Sequence, residues 1–165
     1  MKTVPYDIRR QNPVVYFGNV GVSKAAESIS ANADSLTQSF VRTISFGNRL
    51  SQILEALLKV KTEYSKNGWD GYGGQSIDEG SFQNAMSFAM SLPNSIPLPD
   101  IDVIPAGQVV FTWSQGRRQT FSVIVGNMKE LSYAGLFGAT RTYGVEYLEN
   151  HIPDKIIKNI QEVYS

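Results

Sequence analysis

The sequence predicts an α+β domain, an antiparallel sheet of three to five strands with helices packed on one face. Three observations carry this. Apolar residues at helical spacing run from Phe46 to Leu92, strand-like alternation runs from Ile101 to Leu148, and prolines at 93, 97, 99 and 105 stand between the two regimes. A chain of 165 residues that is 42% apolar can bury one sizeable core, whereas neither half has enough apolar surface alone. One domain over 1–165 is therefore expected, with 1–42 as a loosely packed N-terminal arm.

Within the arm, Pro13-Val14-Val15-Tyr16-Phe17 is β-branched and aromatic and reads as a short edge strand ending at Gly18. Ile29, Leu36, Phe40 and Ile44 allow a weak amphipathic helix over 22–43. The next helix is clearer. Phe46, Leu50, Ile53, Leu54, Leu57, Leu58, Lys61 and Tyr64 follow helical spacing, and Asn67-Gly68 favours a left-handed cap at its end. Ser76 with Glu79 three residues on announces another helix, whose stripe is Phe82, Ala85, Met86, Ala89 and Leu92 and which Pro93 stops.

The proline-rich connector leads into a first strand at Ile101. Gln108 to Trp113 and Gln119 to Val125 form a hairpin about Ser114-Gln115-Gly116-Arg117. After the turn Gly126-Asn127-Met128-Lys129, Glu130 to Phe137 gives a third long strand and Thr140 to Leu148 one more. Pro153 then opens a closing helix through Ile156, Ile157, Ile160 and Val163.

Charge and composition narrow the chemistry. Fifteen basic residues balance fifteen acidic ones, so no whole-chain field draws the protein to nucleic acid or to an anionic membrane. There is no cysteine, which removes disulfides and thiolate chemistry. Neither a signal sequence nor a membrane-length apolar run is present, and a cytoplasmic protein is expected. The nucleophile elbow, the zinc-protease helix motif and the phosphate-binding loop are absent. With one histidine, His151, neither a catalytic triad nor a multi-histidine metal site can be assembled. Asp100 and Asp102 share a strand face but lack further ligands, so no metal and no cofactor are expected.

The candidate site is the stretch Asn67-Gly68-Trp69-Asp70-Gly71-Tyr72-Gly73-Gly74-Gln75-Ser76. Asp70-Gly71 predicts a tight turn, the glycines supply positive φ, and Trp69 and Tyr72 anchor the corner or present it to a partner. Arg117 and Arg118 at the hairpin tip, beside Trp113, form a local basic patch, which is where nucleic acid would have to bind. Small residues flank Tyr133 in Leu131-Ser132-Tyr133-Ala134-Gly135-Leu136-Phe137-Gly138.

The corner, the capped helix, the prolines, Gly116-Arg117-Arg118 and the Leu131–Gly138 strand together resemble a family of small uncharacterised bacterial proteins. Its hallmark is a W-D-G-Y-G-A-type motif, and Gly74 stands here at the alanine. The likeness covers about residues 65 to 163. It implies a bacterial origin and a setting among accessory or mobile genes, with a defence or counter-defence role. It implies no activity.

These readings give a non-catalytic protein that binds a macromolecule, a protein above all, through the aromatic corner and adjacent sheet. Trp69, Asp70, Tyr72, Arg117, Arg118 and Tyr133 are its candidate binding residues. The alternative is a hydrolytic enzyme whose cleft combines Asp70, Tyr72, Tyr133 and Arg118. No membrane partner is expected, and an exposed sheet edge permits a homodimer.

Overall fold

The computed structural model describes residues 47–165, so the readings made on the arm at 1–42, the strand at 13–17 and the helix at 22–43 lie outside the described residues. The first helix, α1, is described from 47 through 63. Ile53, Leu57 and Val60 form its buried seam. Leu58, expected on that seam, is exposed. At roughly 100° per residue it lies about 140° around the helix from Ile53, and Val60 closes the stripe instead. The helix also ends before Gly68, because the Tyr64 carbonyl leaves the helical ladder to accept the Ile77 N–H at 2.9 Å.

Helix α2, Glu79–Ser91, is capped by Asp78, whose carboxylate accepts the Ser81 N–H at 2.7 Å. The Ser76–Glu79 box does not form. Ser76 gives its N–H to the Asn67 side chain at 2.7 Å, and Glu79 pairs with Lys61 of α1 at 2.9 Å. Asp78 directly precedes the first helical residue, the position from which a side-chain oxygen reaches the free N–H groups.

Five strands follow: β1 Asp100–Val103, β2 Val109–Ser114, β3 Gln119–Val125, β4 Glu130–Phe137 and β5 Thr140–Tyr147. They lie in sequence order, each antiparallel to the next, and helix α3, Asp154–Glu162, closes the described chain. This is an α+β fold, with the described helices on one side of a five-stranded antiparallel sheet.

Alternation decides which side. Cross-strand pairs Phe111–Val123, Trp113–Phe121 and Val123–Tyr133 place odd-numbered residues of β2 to β4 together, and these are the buried ones. Phe82 and Phe88 of α2 and Ile156 and Ile160 of α3 complete that core. Ser81, fully buried, joins α2 to the sheet by donating to the Val125 carbonyl at 2.6 Å and accepting the Val109 N–H at 2.9 Å. Trp113 ties down the proline connector through a 2.9 Å bond from its indole N–H to the Pro97 carbonyl. Even-numbered residues of the same strands face away from the helices. No helix among the described residues is long and apolar enough to cross a membrane.

Candidate functional site

The corner between α1 and α2 is organised by Asp70. Its carboxylate accepts the N–H of Gly74 at 2.8 Å and of Tyr72 at 2.9 Å. These bonds hold its pKa below the ordinary carboxylate value. A Cβ on Gly74 would stand 2.9 Å from the Asp70 carboxyl carbon, so glycine here makes room for that carboxylate. Trp69 turns inward, with its indole N–H on the Gln75 carbonyl at 2.8 Å and its ring edge-on to Tyr64 at 4.5 Å.

The corner docks on the β1–β2 turn. Gln75 donates to Pro105 at 2.9 Å and Asp78 to Gly107 at 2.8 Å, with Gly107 at φ 80°. At Gly107 a Cβ would lie 2.5 Å from the Ser76 carbonyl, so only glycine admits this approach. Two of the corner's three candidates, Trp69 and Asp70, are thus spent on its own construction. Tyr72 alone is presented, 96% exposed at the tip.

The other candidates lie elsewhere. Tyr133 is buried on the helix face of β4, packed on Phe121 with ring centroids 5.8 Å apart. Its hydroxyl crosses Gly144 of β5, where a Cβ would come within 2.5 Å. β4 is three strand spacings from β1, on the order of 14 Å. Arg117 and Arg118 are exposed in the β2–β3 turn, at the other end of the strands from the corner, on the order of 20 Å away. The cleft expected from Asp70, Tyr72, Tyr133 and Arg118 is therefore not formed. Nor do the arginines gain an aromatic platform from Trp113, which is buried beneath the helices.

Asp100 and Asp102 do share a face, but among the described residues no three potential metal-ligating side chains converge. Asp102 accepts the Val103 N–H at 2.8 Å, and its approach to Tyr64 pushes that phenol up to about 12.

A different surface emerges from the strand alternation. On the face away from the helices, β5 displays Tyr143, Val145 and Tyr147 with exposures of 82%, 54% and 61%. Next to them Thr120, Ser122, Ala134, Leu136, Arg141 and Tyr143 line a shallow depression of about 450 Å³. Cross-strand neighbours Ser122–Ala134 and Ala134–Tyr143 make it continuous over β3, β4 and β5. Small side chains at its centre and tyrosines at its rim leave a flat, amphipathic surface. None of these residues is among the candidate binding residues named from the sequence, although Ala134 and Leu136 belong to the Leu131–Gly138 stretch. Their signal was the alternation Arg141, Tyr143, Val145, Tyr147 against Thr142, Gly144, Glu146, which marks two faces without naming the covered one.

The class so defined, over the described residues, is a helix-backed antiparallel meander with one face that no described helix covers. No protein-family model, curated protein or solved structure matches this chain.

Proposed function

We propose that this is a non-catalytic interaction protein that binds a protein partner on the sheet face turned away from its described helices. One observation carries the reading: three large side chains, Tyr143, Val145 and Tyr147, stand together in solvent on a regular strand. Tyrosines supply apolar area with a hydrogen-bonding tip and few rotors to immobilise, which suits contact surfaces. The binding role expected of the aromatic corner narrows to Tyr72. Tyr72 belongs to the β1 side and the tyrosine row to the opposite edge of the sheet, so a partner touching both must span it.

The test is affinity capture from the protein's own host with wild type, a Tyr143→Ala/Tyr147→Ala variant and a Tyr72→Ala variant, each shown to be folded. A stoichiometric protein partner lost from the β5 variant supports the reading. Retention by that variant refutes the sheet face, and loss only from Tyr72→Ala returns the site to the corner.

A further inference from the structure

We infer that the outer edge of β5, which no described strand occupies, pairs antiparallel with the same edge of a second copy of this chain, about a two-fold axis through Val145. Two five-stranded sheets then become one. The inference rests on the reading of the β5 side of the sheet as a protein-contact surface, and it names an occupant for the edge.

The peptide groups set the phase. Leu148 donates its N–H to the Lys129 carbonyl at 2.8 Å, and this extends the register in which Tyr147 faces Glu130. Hence the even residues Thr142, Gly144 and Glu146 turn their N–H and C=O toward β4, while Arg141, Tyr143, Val145 and Tyr147 turn theirs outward. The two-residue turn at Gly138-Ala139, with Gly138 at φ 62°, gives the same phase. Among the described residues no strand lies on the outer side of β5.

The two sheet edges are built differently. β1 has four residues, carries Asp100 and Asp102, and is bracketed by Pro99 and Pro105. Short length, charge and proline all discourage pairing there. β5 has eight residues and neither a proline nor a break in its register. A head-to-tail array would need both edges, so the available solution is a closed two-fold contact of β5 with itself.

Its side chains complement themselves in one register. Directly opposed residues of an antiparallel pair share a face, so odd residues must oppose odd ones. With the axis at Val145, Val145 stands against its own copy and Tyr143 against the partner's Tyr147, the latter contact occurring twice, so the exposed large side chains of the two edges join into one row. An axis at Gly144 or Tyr143 instead sets Arg141 against the partner's Tyr147 or the partner's Val145 and interrupts that row. About six backbone hydrogen bonds join the central residue pairs. The contact is small beside a standard interface of about 1,600 Å², so the dimer forms reversibly and with concentration.

The test is sedimentation velocity on the purified full chain over a wide concentration range. Wild type is expected to pass from monomer to dimer mass. Val145→Lys, at an exposed position and checked by circular dichroism and melting, should weaken the dimer at least about tenfold by placing like charges together. An equimolar mixture of Val145→Lys and Val145→Glu chains should restore it, because the axis sets the two charges against each other. A wild type that remains monomeric overturns the inference, as does a folded Val145→Lys that dimerises normally or a mixture that restores nothing. The measurement uses the purified chain alone, so its failure is distinct from failure to capture a partner from the host.

Discussion

Replacing Ser81 by alanine removes one oxygen and should cost the protein more than any other hydroxyl deletion in α2. The Ser81 side chain is fully buried and holds two backbone groups from different strands, the Val125 carbonyl at 2.6 Å and the Val109 N–H at 2.9 Å. Deletion strands a buried donor, worth roughly 1–3 kcal/mol, and deprives a carbonyl of one partner, worth less because it has a second lone pair. The better helix propensity of alanine returns a few tenths of a kcal/mol. The balance is a loss of about 2–3 kcal/mol, or on the order of 10 °C in melting temperature for a domain of this size. Ser87 and Ser91 provide the control, since their hydroxyls bond only to carbonyls one turn back on the exposed side of the same helix. Their alanine variants should stay within about 0.5 kcal/mol of wild type. Urea denaturation reads the difference, with an unchanged slope showing that the unfolded state is unaltered. Equal midpoints for Ser81→Ala and Ser87→Ala would refute the reasoning.

Other perturbations separate construction from contact. Tyr143→Ala/Tyr147→Ala should abolish partner capture while shifting stability by less than about 1 kcal/mol, because both side chains are exposed; a large loss of stability would show that they are structural. Asp70→Asn should destabilise in a pH-dependent way. The folded-state pKa of Asp70 is depressed by the Gly74 and Tyr72 N–H groups, so its contribution is present above the unfolded value near 3.8 and disappears as pH falls through the folded one. The gap between wild type and variant, measured by denaturation at a series of pH values, should close on the acid side, and a gap independent of pH would contradict this account. Gly107→Ala should lose about 2 kcal/mol or more, since the new methyl meets the Ser76 carbonyl at 2.5 Å on a backbone with φ 80°. Gly116→Ala, at φ 99° with nothing within 4 Å, should lose less, and equal effects would show that crowding at Gly107 is relieved.

The strands were legible because turn chemistry and period-two patterning agree from Asp100 to Tyr147. The helix termini were less so. Ser76 and Asp78 are both good caps, and the choice between them depends on where Asn67 and Gly107 take hold of the loop, which involves residues distant in sequence. Ser81 was invisible for a related reason, since serine at a helix position ordinarily faces water. Nothing local marks the one whose hydroxyl reaches two strand ends.

The composite site failed on the same distinction between composition and placement. Trp69, Asp70, Tyr72, Tyr133 and Arg118 have the chemistry of a recognition surface, but Tyr133 belongs to the odd-numbered set of β4, which the register with Val123 commits to the core. The parity that buries Tyr133 also decides the fate of β5. Tyr133 faces Gly144, so the even residues of β5 join the helix side and the odd ones, Tyr143, Val145 and Tyr147, emerge on the other. A one-residue slip between β4 and β5 would exchange the two sets, exposing Gly144 and Glu146 and burying the tyrosines. The phenol lying across Gly144 opposes that slip, because any side chain brought to this position meets the Tyr133 ring. Tyr133 thus bears on binding from within the core, by fixing which face of β5 the protein presents.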